Sequence, residues 1–83
     1  MALNCDLLAH LDRIHTTEMG AVRIRRNLGL IEDDVVSWCK ARMAGADARI
    51  SRQGKNWYVT AEGCVFTVNA ASYTIITAHR AEG

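Results

Sequence analysis

The spacing of apolar residues changes period near Ala46 and divides the chain in two. Before that point apolar side chains recur every three to four residues, the period of one helix face. After it they alternate, or run in short blocks rich in β-branched and aromatic residues, as strands do. Leu7, Leu8, Leu11 and Ile14 share a face of a helix predicted over about 4–14, with Asn4 as its cap and Asp6 in its first turn. Thr17, Ala21, Ile24 and Leu28 form the stripe of a second helix over 17–28, capped by Thr16 or Thr17 and closed by Gly29. Gly20 inside it costs about 1 kcal/mol against alanine, which implies a close packing contact there. Val35, Val36, Cys39 and Met43 form the buried face of a third helix over 33–44, with Asp33 or Asp34 as cap.

Four strands are expected over 48–53, 56–60, 64–69 and 73–79, separated by three-residue turns at 53–55, 61–63 and 70–72. With those turns, Thr67 opposes Ile75 and Val65 opposes Thr77. One face then carries Ile50, Tyr58, Cys64, Phe66, Val68, Thr74, Ile76 and Ala78. The other is mixed: Arg49, Ser51, Trp57, Val59, Val65, Thr67, Asn69, Tyr73, Ile75, Thr77 and His79. A slip of one residue in any hairpin would exchange the faces. The predicted fold is α+β, with three N-terminal helices packed on one face of a four-stranded antiparallel meander, in a single domain over 1–83.

Composition narrows the function classes. The chain has 83 residues, 49% hydrophobic and 23% charged, as in a globular domain with a modest core. No apolar run is long enough to span a membrane and no leader pattern opens the chain, so a cytoplasmic protein without a membrane partner is expected. Cys5, Cys39 and Cys64 are odd in number and far apart, which suits buried reduced thiols. Neither they nor His10, His15 and His79 have metal-ligand spacing, so no metal and no cofactor is expected. The net charge is only +1, but residues 21–55 hold eight cations against four acids, a local net of +4. That basic segment suits a phosphate-bearing ligand.

The mixed face offers an indole, a phenol, hydroxyls and an imidazole beside cations. Such a set fits single-stranded RNA, whose bases stack on aromatic rings and whose phosphates meet Arg or Lys. It equally fits the ordinary wet face of an antiparallel sheet. His15 stands at a helix exit, where capping is its simplest role, and His10 flanks an apolar stripe.

The runs Ile14-His15-Thr16-Thr17-Glu18-Met19-Gly20, Arg23-Ile24-Arg25-Arg26-Asn27-Leu28-Gly29-Leu30, Gly54-Lys55-Asn56-Trp57-Tyr58-Val59, Thr67-Val68-Asn69-Ala70 and Thr74-Ile75-Ile76-Thr77-Ala78-His79 span most of the chain. Together they resemble a small bacterial family catalogued as domain of unknown function 3781, which implies no activity. In architecture the helices, the meander and the final Ile-Ile-Thr-Ala-His strand are similar to the barnase–EndoU–colicin–RelE group of small ribonucleases and toxins. That resemblance implies chemistry on the exposed sheet face and transfers no catalytic residue by position. Metal-independent RNA cleavage would need a base at the 2′-hydroxyl, an acid at the leaving oxygen and cations for the developing charge. His15 and His79 are the expected proton carriers and Lys55 the charge. Arg23, Arg26, Arg49, Trp57, Thr67, Tyr73 and Thr77 are the expected substrate contacts. Two other classes stand beside the enzyme: a non-enzymatic inhibitor or antitoxin-like module that binds a protein partner, and an RNA-binding domain without catalysis. A homo-oligomer is left open. His15, His79 and Lys55 around one cleft would favour the enzyme, and scattered positions a binder.

Overall fold

The computed structural model describes residues 5–81. Asn4, the expected first cap, lies outside the described residues, as do the side chains of Cys5 and Asp6. The elements run α1 (Cys5–Ala9), a 3-10 turn (Leu11–Arg13), α2 (Glu18–Leu28), α3 (Val35–Met43), β1 (Arg49–Gln53), β2 (Asn56–Ala61), β3 (Cys64–Asn69) and β4 (Ile75–Arg80). The strands form one antiparallel sheet in sequential order, as the meander predicts.

The helix expected over 4–14 is interrupted. α1 ends at Ala9, and His10 leaves the helical region at φ −126° and ψ 36°. Tertiary pairing overrides the local periodicity here. The His15 N–H donates to Tyr73 O at 3.1 Å and Ile75 N–H donates to His15 O at 2.7 Å, so the chain must already be extended at Ile14 (ψ 132°).

The other two helices start and stop on the expected signals. Thr17 Oγ1 accepts from Gly20 N–H at 2.9 Å, and Gly29 ends α2 in the left-handed region at φ 66°. Gly20 is buried, and a Cβ there would run into Thr16 Oγ1, which donates to Ile75 O at 2.9 Å. The close contact expected of this glycine is therefore with Thr16. Asp34 caps α3 by accepting from Ser37 N–H and Ser37 Oγ, at 3.0 and 2.8 Å. Those bonds, the backbone one first, hold its carboxyl below the usual carboxylate range.

The sheet departs from the expected register at every hairpin. β2 and β3 join through two residues, Glu62-Gly63, both at positive φ (49° and 76°), as a type I′ turn requires. Val59 therefore opposes Phe66, and Trp57 opposes Val68. β1 and β2 likewise join through two residues, Gly54-Lys55, so Ile50 opposes Val59 and Arg52 opposes Trp57. Between β3 and β4 the pairing shifts by two: Thr67 opposes Thr77 and Val65 opposes His79. A bulge between Thr67 and Val68 then brings Ile75 opposite Val68, so the neighbouring Ile76 is left exposed.

Trp57 and Val59 thus belong to the buried face with Phe66, Val68, Ile75 and Ala78, not to the mixed one. Ile24 and Leu28 of α2 and Val35, Cys39 and Met43 of α3 complete this core. Trp38 of α3 tilts over Phe66 with centroids 6.4 Å apart. Two bonds join α2 and β4: Asn27 Nδ2 donates to Ala78 O at 3.2 Å, and Arg80 Nη2 of β4 donates to the last α2 carbonyl, Leu28 O, at 2.9 Å. Cys39 and Cys64 are free and buried, as expected of reduced thiols. Burial first, then the neighbouring Cys64, pushes the Cys39 thiol up to about 12.

Candidate functional site

The β1–β2 turn and the β3–β4 loop meet at one end of the sheet, where Ala70 N–H donates to Lys55 O at 2.8 Å. Asn69 organises the loop. Its Oδ1 accepts from Ala71 N–H and Ser72 N–H, both at 2.9 Å, and from Ser72 Oγ at 3.2 Å. Tyr73 follows at φ 61°, an uncommon conformation for a bulky residue. The reversal it makes lets Tyr73 N–H donate to Asn69 O at 2.8 Å and Asn69 N–H donate to Thr74 O at 2.9 Å.

His15 sits against this loop. Its Nδ1 lies 2.9 Å from Arg13 O, and a carbonyl only accepts, so Nδ1 carries a proton. Its Nε2 lies 3.0 Å from Thr74 Oγ1, which is 2.8 Å from Ser72 Oγ. Both ring nitrogens are engaged, and the loop uses His15 as a bracket.

Beside the bracket, two cations flank a pair of aromatic rings. The Arg13 guanidinium stands 4.7 Å from the Tyr73 ring centroid, Tyr73 stands 5.3 Å from Trp57, and Arg52 stands 5.4 Å from Trp57. Trp57 and Tyr73 are 4% and 8% exposed, whereas Arg13 and Arg52 are exposed. His10 packs on the other side of Tyr73, with Nδ1 3.4 Å from the phenol oxygen. Arg52, Gly54, Lys55, Asn69, Ala70 and Ala71 line an adjoining hollow of about 250 Å³. None of Arg13, Arg52 and Lys55 forms an ion pair with a described residue.

The outer sheet face is the second polar surface. One row across the strands is Ser51, Tyr58, Thr67 and Thr77, and the next is Arg49, Thr60, Val65 and His79. Thr67, at the centre, is 9% exposed. His79 Nδ1 donates to Arg80 O at 3.1 Å.

The expected site residues therefore separate into three groups. Arg49, Thr67, Thr77 and His79 lie on the outer face as anticipated. Trp57 and Tyr73 do not, because the two-residue turn and the loop reversal turn their rings inward. They lie at the loop end with His15 and Lys55. Arg23 and Arg26 are on α2, where with Glu18, Met19 and Val22 they line a separate hollow of about 400 Å³. Between them Arg25 braces the following loop, donating to Glu32 O and Asp33 O at 3.1 and 3.2 Å. His79 is opposite Val65, and Thr74, the His15 contact, is bonded to Asn69 four residues along β3, so the two lie roughly 13 Å apart at strand rise. The two histidines cannot serve one phosphate. The sequence reading missed Arg13 and Arg52. A two-residue Gly54-Lys55 turn is the signal that would have placed Arg52 opposite Trp57.

Among the described residues no group of His, Cys, Asp or Glu is arranged to hold a metal ion, and no helix is long and apolar enough to cross a membrane. No curated protein and no solved structure matches the chain, so the ribonuclease–toxin architecture gains no support from comparison. One family's sequence model does match, over residues 8–79, and on that match the chain belongs to the family described as protein of unknown function (DUF3781).

Proposed function

We propose that the chain is a non-catalytic RNA-binding module, and that it holds a single strand at the loop end of the sheet. The observation that carries this reading is the grouping of Arg13, Arg52 and Lys55 without carboxylate partners among the described residues. Two of these cations are held on rings. A guanidinium stacked on an aromatic face keeps N–H groups for phosphate oxygens; Arg52 spends its Nε–H on Gly54 O at 3.1 Å, which leaves its two terminal nitrogens. The adjoining hollow presents further polar groups of Asn69 and the 70–71 backbone. Binding is favoured over cleavage because an acid and a base must both reach the reacting phosphate within hydrogen-bond distance. His15 has both nitrogens engaged within the fold, and His79 stands at the other end of β4.

Fluorescence anisotropy with a labelled single-stranded RNA of mixed sequence, from 50 to 300 mM salt, tests the reading. Wild type should bind more weakly as salt rises, because neutralised phosphates release counterions. Lys55→Ala and Arg52→Gln should each weaken binding and lower the salt slope by about one. Circular dichroism would confirm that both variants are folded. Absence of binding at 50 mM salt would overturn the proposal. So would loss of binding in Arg49→Ala and His79→Ala with none in the loop-end variants. Cleavage of the RNA by wild type, abolished by His15→Ala or His79→Ala, would restore the enzyme.

A further inference from the structure

β1 is a five-residue strand at one edge of the sheet, and no other described element pairs with its outer side. Its turn decides which backbone groups that edge offers. In a two-residue hairpin the residues flanking the turn, here Gln53 and Asn56, form a hydrogen-bonded pair. Hydrogen-bonded and non-bonded pairs then alternate, so Ser51↔Tyr58 and Arg49↔Thr60 are bonded, and Ile50↔Val59 and Arg52↔Trp57 are not. The N–H and C=O groups of Ile50 and Arg52 therefore point away from the sheet. They give four backbone positions spaced for one more strand.

The charge of this edge is one-sided. From Ala48 to Ala61 the chain carries Arg49, Arg52 and Lys55 and no acid. We infer that the β1 edge is a docking site for an extended acidic peptide segment, which adds as a fifth strand through Ile50 and Arg52 and carries carboxylates on both faces, one meeting Arg49 on the outer face and one meeting Arg52 on the opposite face. Main-chain bonds supply the affinity in this mode of recognition, and side chains on alternate positions supply the choice of partner. A second copy of β1 is a poor occupant. Antiparallel self-pairing about Ser51 would bring four arginines together on ten residues, and charges on an edge are a usual defence against such pairing. Those charges reject a like strand and accept an acidic one. The inference does not rest on RNA binding, although Arg52 serves both, since a nucleic acid cannot complete a β-ladder.

Two blocked hexapeptides provide the test, one of valines with two adjacent central glutamates, so that a carboxylate falls on each face, and one with lysines in place of the glutamates. Backbone amide NMR of the full chain should show the glutamate peptide binding with a Kd below about 1 mM. The Ile50 and Arg52 amides should shift and become protected from exchange, while those of Ser51 and Gln53, already paired to β2, change little. The double variant Arg49→Glu with Arg52→Glu should keep the fold, since both side chains are exposed and only the Arg52 contacts with Gly54 O and Trp57 are lost; circular dichroism checks this. It should lose the glutamate peptide and gain the lysine peptide. Three results would overturn the inference: no shift at 1 mM glutamate peptide, equal binding of both peptides by wild type and variant, or shifts centred away from β1. A dimer in sedimentation whose β1 amides are protected without peptide would also overturn it, by giving the edge to a second copy.

Discussion

Tyr73 combines a buried ring with a backbone conformation that L side chains avoid, and the two can be separated by substitution. The ring is 8% exposed and touches Trp57, Arg13 and His10. Removing a buried aromatic ring costs about 3–5 kcal/mol. The backbone stands at φ 61°, which for any residue with a Cβ costs about 1–2 kcal/mol. Tyr73→Ala loses the ring and keeps the strain, so a loss of about 3–5 kcal/mol is expected. Tyr73→Gly loses the same ring and sheds the strain, so its loss should be smaller by about 1 kcal/mol. The order is the reverse of the usual one, since glycine within ordinary strand or helix is worse than alanine by about 0.5–1 kcal/mol. Urea denaturation of the two variants, fitted with a common slope, reads the difference from the midpoints. A domain of this size holds about 5–10 kcal/mol, so low temperature keeps both variants measurable. If alanine proves equal to or more stable than glycine, the loop reversal at Tyr73 is wrong, and the placement of His15 against Thr74 falls with it.

Two further outcomes follow from the core. Gly20→Ala should destabilise the protein by about 1–2 kcal/mol despite the better helix propensity, because the new methyl displaces Thr16 Oγ1 from its bond to Ile75 O; a rise in melting temperature would refute the contact. Burial, then the neighbouring Cys64, pushes the Cys39 thiol up from 9.0 to about 12, so its contribution to stability should be complete below about pH 9. It should fall by about 1.4 kcal/mol per pH unit as pH climbs from 9 toward 12, a slope absent from Cys39→Ala and read as the difference between their denaturation curves.

What the sequence made legible was local. The two helix stretches from Thr17 to Gly29 and from Asp34 to Met43 carry their own stop and start chemistry, and both form where expected. The change of period near Ala46 marks where helix gives way to sheet. The break after Ala9 was not legible. Leu7, Leu11 and Ile14 keep helical spacing, yet the main-chain bonds of His15 are with Tyr73 and Ile75, nearly sixty residues away. No local pattern reports a partner at that distance.

The face of each strand depended on counting turn residues, and parity makes that count unforgiving. Reading Ala61-Glu62-Gly63 as the turn, where Glu62-Gly63 suffices, put Trp57 on the wet side. Reading Gln53-Gly54-Lys55 in the same way introduced a second slip, which cancelled the first, so Ile50 and Arg49 came out on their true sides. In β4 a two-residue slip left Thr77 and His79 correct, while the bulge exchanged Ile75 and Ile76. These errors bear directly on the candidate site. A wet-facing Trp57 would be a stacking platform for a base on the outer face. An inward Trp57 is instead the support that Arg52 lies on, and through Tyr73 it is linked to the support under Arg13. On the proposed reading the aromatic pair would act on a ligand only through the cations it positions, and that is why binding is proposed at the loop end and not on the face of the sheet.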